Sequence, residues 1–333
     1  PKASDAMEWA RNGFIADMRE AAAAGNWDAL IPASLQPTVK LDGNYVAVPL
    51  NVHRFDFMLA NGALLKEHGI ELPVTWDEFN AAADKLQAAG VTPLAHGGQP
   101  WQDEILFDSV VLGIGGAEFF QKALVDYDEE ALRSDTMVRA FEQMRRLRGY
   151  VDPNFSGRDW NLATGMVIRG EGAFQIHGDW TKGELTAAGV ELGEDVLCAP
   201  APRNQPGGYA YVVNSISFFT RERNAAASPG QALLAETVLS PEAQIAFNLA
   251  KGSVPPVKDL DLSAFDSCAQ QSARDLAAAD ADGKLVSAVI GGTVQTASVR
   301  GAITDVVTNF FNSDQSAEQA AAALADAVLA AAE

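Results

Sequence analysis

The chain has 333 residues, with 24 Lys and Arg against 44 Asp and Glu, giving a formal charge of −20. That acidity argues against binding a nucleic-acid backbone or docking on an anionic membrane, both of which need clustered cations. With 48 % hydrophobic and 20 % charged residues the composition is globular, and the length suits two domains. In chain order, residues 5–18 have helical apolar spacing through Ala6, Trp9 and Ala10, interrupted at Gly13. Residues 45–50 read as a strand after an Asp42-Gly43-Asn44 turn. Thr75 and Glu78 form a capping-box pair that opens a helix closed by Gly90. Residues 92–95 read as a short buried strand, 104–112 as an apolar helix, and 134–147 as an amphipathic helix with Met137, Phe141, Met144 and Leu147 on one face. Then come a helix at 161–168, a strand at 172–176 and strands at 196–199 and 209–219. Helices are predicted at 230–238, 241–249, 263–279, 301–312 and Ala317–Ala332, the last with Ser316 as N-cap. Alternating strands and helices predict an α/β chain with parallel sheets. Only one clear strand precedes residue 90, which is short for a complete α/β domain.

No apolar run reaches the roughly 18 residues of a membrane span. The four histidines, at 53, 68, 96 and 177, share no metal-ligand spacing, and no Gly-Xaa-Ser-Xaa-Gly elbow is present. The reading therefore calls for no metal and no cofactor. Gly113-Ile114-Gly115-Gly116 lies at a helix end and reads as a C-cap, not a dinucleotide loop. The acid pairs Asp103/Glu104 and Glu129/Glu130 read as solvated surface charge. Asp179 differs, because it sits between Gly178 and Trp180 directly after an apolar strand. The two cysteines, Cys198 and Cys268, are either separate buried thiols or one disulfide closing a loop of about 70 residues, worth about 4 kcal/mol.

The tryptophans carry the strongest signal. Trp9, Trp27 and Trp76 read as helix packing. Trp101, Trp160 and Trp180 each stand in a turn or at a helix start beside polar groups: Gln99 and Gln102, Asp159 and Asn161, Asp179 and Thr181. A ring that covers the C–H face of a pyranose, next to groups that pair with hydroxyls, is what a sugar site needs. A glycoside hydrolase using Asp179 and a second carboxylate is the catalytic alternative.

The stretches 41–54 (Leu-Asp-Gly-Asn-Tyr-Val-Ala-Val-Pro-Leu-Asn-Val-His-Arg), 95–103, 157–164, 178–184, 251–255 and 301–307 together resemble the extracytoplasmic solute-binding proteins of carbohydrate ABC transporters, nearest the branch that binds glucose or related monosaccharides. The resemblance implies a type II periplasmic-binding-protein fold: two α/β lobes joined by a multi-crossing hinge. Lobe one would hold 1–51 and 214–252, and lobe two 52–213 and 253–333. His53, Arg54 and Asn214 would lie on hinge crossings. The first strand–helix–strand of lobe one, which precedes the position of Lys2 in the family, is expected to be absent here. The implied sugar contacts are Lys2, Gln99, Trp101, Trp160, Asp179, Trp180 and Lys251. His177, where the family carries an apolar residue, is a further candidate. Gly291 stands where the glucose binders carry a His, which turns the expectation away from glucose itself. The family also carries both cysteines, so the resemblance implies a Cys198–Cys268 disulfide in an oxidising, periplasmic compartment. The implied protein is a monomeric, non-catalytic receptor that hands a monosaccharide to the permease of an importer. A sensor domain presenting its ligand-bound form to a signalling partner shares the same fold.

Overall fold

The computed structural model describes residues 3–193, 195–291 and 295–333. Lys2, a predicted sugar contact, lies outside the described residues. Nine strands form among those described: β1 (Lys40–Leu41), β2 (Asn44–Tyr45), β3 (Val48–Arg54), β4 (Phe57–Asn61), β5 (Thr92–Leu94), β6 (Gly172–His177), β7 (Val196–Pro200), β8 (Tyr209–Ile216) and β9 (Leu285–Ser287). β1 and β2 make a small antiparallel ribbon. Its turn residues Asp42 and Gly43 both take positive φ, 49° and 79°, as a tight hairpin requires. One sheet has the order β3-β8-β9 and the other β5-β6-β4-β7.

The expected parallel sheets are not what forms. Only β5–β6 and β8–β9 run parallel; β3–β8, β4–β6 and β4–β7 are antiparallel. The cause is β4, which the sequence reading did not find. The chain leaves β3 and enters β4 after only Phe55 and Asp56, so it passes from the first sheet to the second through a two-residue bend. Every residue of β4 is buried. Met58 and Ala60 pack into one core, while Phe57 and Leu59 pack into another on the opposite face. A strand buried on both faces shows no polar alternation, which is why its pattern is silent.

Residues 5–18 also depart from expectation. The helix is Ala3–Arg11. Gly13 then takes φ +76°, and Ile15 and Asp17 bridge to Phe219 and Ala226. Pairing with residues far along the chain, after a left-handed glycine, overrides the local helical spacing. Trp9 is 47 % exposed and touches Phe14 and Phe219 by its edge, whereas Trp27 and Trp76 are buried as expected. The capping box at Thr75 and Glu78 forms, and the helix it opens is Trp76–Ala88. Met137, Phe141, Met144 and Leu147 line the buried face of the helix Asp135–Arg148.

The apolar interior divides at β3 and β8. One core gathers Trp27, Ile31, Leu35, Val52, Tyr211, Val213 and Leu239, and Val257 and Ala279 from the C-terminal third join it. A larger core gathers Phe79, Phe107, Phe141, Phe174, Val212, Phe310 and Leu324. Tyr211 and Val213 thus point one way from β8 and Val212 the other, so this sheet is shared by both cores. Cys198 of β7 and Cys268 of the helix Ser267–Ala281 form a disulfide, with their Cα atoms 6.2 Å apart.

The helix Pro100–Phe120 is enclosed by neighbours, and that overturns the reading of Asp103 and Glu104 as surface charge. Asp103 is 1 % and Glu104 0 % exposed. Asp103 Oδ1 pairs with His96 Nε2 at 2.8 Å, and Glu104 Oε2 accepts from Thr304 Oγ at 3.0 Å. One turn on, Asp108 Oδ2 accepts the Val289 N–H at 2.8 Å. Gly116 breaks this helix with φ +80°, close to where the C-cap was expected.

Candidate functional site

The site gathers where β6 ends. His177 is the last residue of β6, and Gly178 turns the chain into the single turn Asp179–Thr181. A methyl group at Gly178 would overlap the six-membered ring of Trp180, so only glycine lets that ring fold back over the strand end. The loop before the helix Pro100–Phe120 is built with the same economy of side chain. Gly98 donates to the Arg158 carbonyl at 3.0 Å, and its own carbonyl accepts from Gly157 at 3.2 Å. A Cβ at Gly98 would strike the Phe155–Gly157 backbone. Two loops are thereby clamped together, one carrying Gln99 and Trp101, the other Asp159 and Trp160.

The rings converge on His177. Its imidazole centroid is 5.1 Å from Trp101, 5.0 Å from Trp180 and 6.1 Å from Trp160. Trp101 and Trp180 lie 6.5 Å apart at 35°, two half-buried faces over a buried imidazole. Both ring nitrogens of His177 are buried without a hydrogen-bond partner. Burial, together with the charge of His96, pushes the His177 pKa down to about 3, so the ring is neutral at any ordinary pH. A neutral imidazole offers one N–H donor and one acceptor.

Beside the rings lies a polar group carried by β3. His53 Nδ1 and Asp179 Oδ1 are 2.5 Å apart, and His53 stands edge-on to Trp180 at 5.1 Å. Asp179 Oδ2 and His53 Nε2 are buried and unpartnered. Lys251 ends the helix Pro241–Lys251 and is half-buried. Burial lowers its pKa, with Asp179 pulling the other way. Gly252, at φ +73°, brings this corner against the Asp179 carbonyl and the stem of Lys182; a Cβ there would sit 3.3 and 3.1 Å away.

Trp101, Trp160, His177, Asp179, Trp180 and His53 therefore come together as one cluster, with Lys251 at its edge. Gln99 is in the cluster but committed to it internally. Its Oε1 accepts from Trp101 Nε1 at 2.7 Å and its Nε2 donates to Asp159 at 2.5 Å, so it orients the Trp101 ring. Arg54 is not in the cluster: it follows His53 on β3 and points to the other face of the sheet. Asn214 is exposed and lies opposite Asn51 in the β3–β8 register. Gly291 ends the single turn Val289–Gly291. Two residues escaped the sequence reading. Phe55 packs its ring 5.0 Å from Trp180, and Asn51 is fully buried with both amide atoms unpartnered. The period of two along β3 places Asn51 and His53 on one face, the signal that would find Asn51; Phe55 stands in the bend just past the strand and carries no such signal.

The profile of the bacterial extracellular solute-binding proteins matches residues 2–245, well over half the chain. The chain belongs to that family. A probable sugar-binding periplasmic protein of Brucella suis is 43 % identical over 98 % of this chain and 77 % of its own length. The protein of the same description in Rhizobium meliloti is 42 % identical over 98 % of this chain and 78 % of its own. Among solved structures, the bacterial solute receptor AcbH, described as exclusive for β-D-galactopyranose, superposes with a TM-score of 0.78 at 18 % identity, covering 96 % of this chain and 80 % of that one. At that identity the likeness shows the fold, the two-lobe α/β architecture of periplasmic binding proteins. The expected fold class and the extracytoplasmic character are borne out. The family is one of binding proteins rather than enzymes.

Proposed function

We propose that this protein is a periplasmic receptor that traps a monosaccharide between two lobes and delivers it to an ABC importer. The observation that carries the reading is His177, a buried neutral imidazole with both nitrogens unpartnered inside a ring of three half-buried tryptophans. A pyranose is the ligand that lays C–H faces on Trp101 and Trp180 while offering hydroxyls that donate and accept at once. Asp179 Oδ2 and the Lys251 ammonium would take further hydroxyls, and Trp160 would close one side. The sugar-binding names of the Brucella and Rhizobium relatives and the galactopyranose preference of AcbH support this class.

The proposed lobes are 1–51 with 214–252, and 52–213 with 253–333; separate cores on the two faces of β8 support a two-lobe division, with Val257 and Ala279 of the C-terminal segment packed into the smaller core. Closure would be a hinge motion stabilised by contacts from both lobes to the sugar. His53, Arg54 and Asn214 would ride the crossings. Gly291 has no side chain to offer a hydroxyl, so glucose is not the preferred ligand. A differently configured or substituted monosaccharide, or a polyol, should bind more tightly by about 1–3 kcal/mol, the cost of one unpaired buried polar group.

Calorimetric titration against hexoses, pentoses, polyols and sugar derivatives tests both statements. Saturable binding of at least one monosaccharide, lost in Trp180→Ala, is expected. Binding of oligosaccharides alone would overturn the monosaccharide reading, and glucose binding as tightly as every other sugar would overturn the reading of Gly291. Turnover of an aryl glycoside would turn the assignment to the hydrolase alternative.

A further inference from the structure

We propose that a cavity behind the hinge strand is a second ligand site, built for a small amphipathic monocarboxylate. The cavity holds about 350 Å³, at the lower end of the range of small-molecule sites. His53 faces the aromatic cluster, and the next residue of β3, Arg54, faces this cavity, so the two sites lie on opposite sides of one strand.

Behind its wall runs a network of charges in which the carboxylates of Asp56 and Asp275 are already engaged. Asp56 Oδ1 accepts the Ala210 N–H at 2.9 Å, and Asp56 Oδ2 accepts from Arg54 at 3.1 Å and from Arg203 at 2.6 Å. Asp275 Oδ2 accepts from Arg54 at 2.5 Å, and its Oδ1 from Gln271 at 2.7 Å. The capacity left over belongs to donors on the two part-exposed cations. Arg54 itself is buried, its guanidinium stacked over the Tyr209 ring at 4.7 Å, and Arg203 spends one Nη on the Gly207 and Gly208 carbonyls, each at 2.9 Å. Among the described residues Lys284 at the rim has Asp282 as its ion-pair partner, at 3.8 Å. Burial pushes the Arg203 pKa down; Asp56 offsets this only in part and the Arg54 charge adds to it. An incoming anion relieves that strain on the part-exposed Arg203 and gives Lys284 an acceptor.

The walls set the rest of the ligand. Leu72, Pro73 and Val74 line one side, Pro200 and Ala201 another, and Ala278 closes the third. A carboxylate with a compact apolar body satisfies both halves. An inorganic anion would leave the walls uncovered, and a sugar would meet too few acceptors or rings.

The test uses the whole protein with benzoate and hexanoate as probes, followed by calorimetry and by the arginine Nε–H signals in nitrogen–proton spectra. Saturable binding of at least one probe is expected, with a shift of the Arg203 Nε–H. The neutral isostere benzamide should bind about tenfold more weakly than benzoate, the difference of one charge-assisted contact. Lys284→Gln should weaken the carboxylate several-fold, and Ala278→Trp should abolish binding by filling the cavity, both substitutions being at solvent-facing positions. Trp180→Ala should leave carboxylate binding unchanged while it removes sugar binding. Absence of saturable binding by either carboxylate, equal affinity for benzamide, or loss of binding in Trp180→Ala overturns the proposal. None of these outcomes depends on which sugar the aromatic cluster takes.

Discussion

Replacing His177 by Gln should flatten the acid response of the protein's stability. In the folded chain the imidazole titrates near pH 3, against 6.5 for a free histidine, because burial among three indoles disfavours its cation. The unfolded chain therefore takes up a proton as pH falls through 6.5 and the folded chain does not until near 3. Stability from this residue is complete above pH 6.5 and drains away as pH falls toward 3. Each pH unit in that window costs about 1.4 kcal/mol, so the loss at pH 5 is about 2 kcal/mol. Urea unfolding of the wild type and His177→Gln at pH 7, 6 and 5 reads it directly. Other carboxylates and histidines titrate equally in both proteins and cancel in the comparison. The wild type should lose about 2 kcal/mol more than the variant between pH 7 and pH 5. Parallel loss in the two proteins would mean that His177 reaches water, and the closed aromatic floor of the site would be refuted with it.

Gly178→Ala should leave the fold near wild-type stability but displace the Trp180 ring; sugar affinity should fall at least tenfold, read by calorimetry, and an unchanged affinity would show that the ring position is not needed. Asp108→Asn should raise the melting temperature at pH 8 by an amount that shrinks toward pH 4. Burial and the charge of Glu104 hold the Asp108 pKa above its usual value, so wild-type stability is lost as pH rises through that pKa. The amide keeps an acceptor for the Val289 N–H, and equal pH profiles would contradict the buried-acid assignment. Reducing the Cys198–Cys268 disulfide should destabilise the protein by about 4 kcal/mol, measured as a lower urea midpoint, and intact mass should rise by two hydrogens. Alkylation of both cysteines in the unreduced, denatured protein would refute the bond.

Much of the site was legible because its residues sit at the ends of regular elements. Asp179 and Trp180 follow an apolar strand, and Trp101 and Trp160 open helices. Turn chemistry and aromatic placement mark such positions locally. What was not legible depends on who packs against whom. Asp103, Glu104 and Asp108 sit on a helix enclosed on every side, so nothing in its pattern separates a carboxylate facing water from one facing His96, Thr304 or the Val289 amide. β4 was hidden for the same reason, since double-sided burial erases alternation. The pairing of Ile15 and Asp17 with distant residues outweighs a helical spacing that is locally sound.

β3 carries the same contrast within one strand. Residues 51–55, Asn-Val-His-Arg-Phe, read as a hinge crossing by resemblance, and resemblance assigns the stretch one role. The pleat assigns it two. His53 and Phe55 meet the aromatic cluster, where His53 pairs with Asp179 and Phe55 backs Trp180. Val52 enters the smaller core, and Arg54 turns to the cavity behind, pinned by Asp56 and Asp275. Burial works against the Arg54 charge, yet Asp56, Tyr209 and Asp275 together hold its pKa above the usual value, so the cation persists inside the fold. Neighbouring residues of one strand thus serve opposite faces, a His–Asp contact on one and an Arg–Asp network on the other, and a resemblance that matches the stretch as a unit does not separate the two.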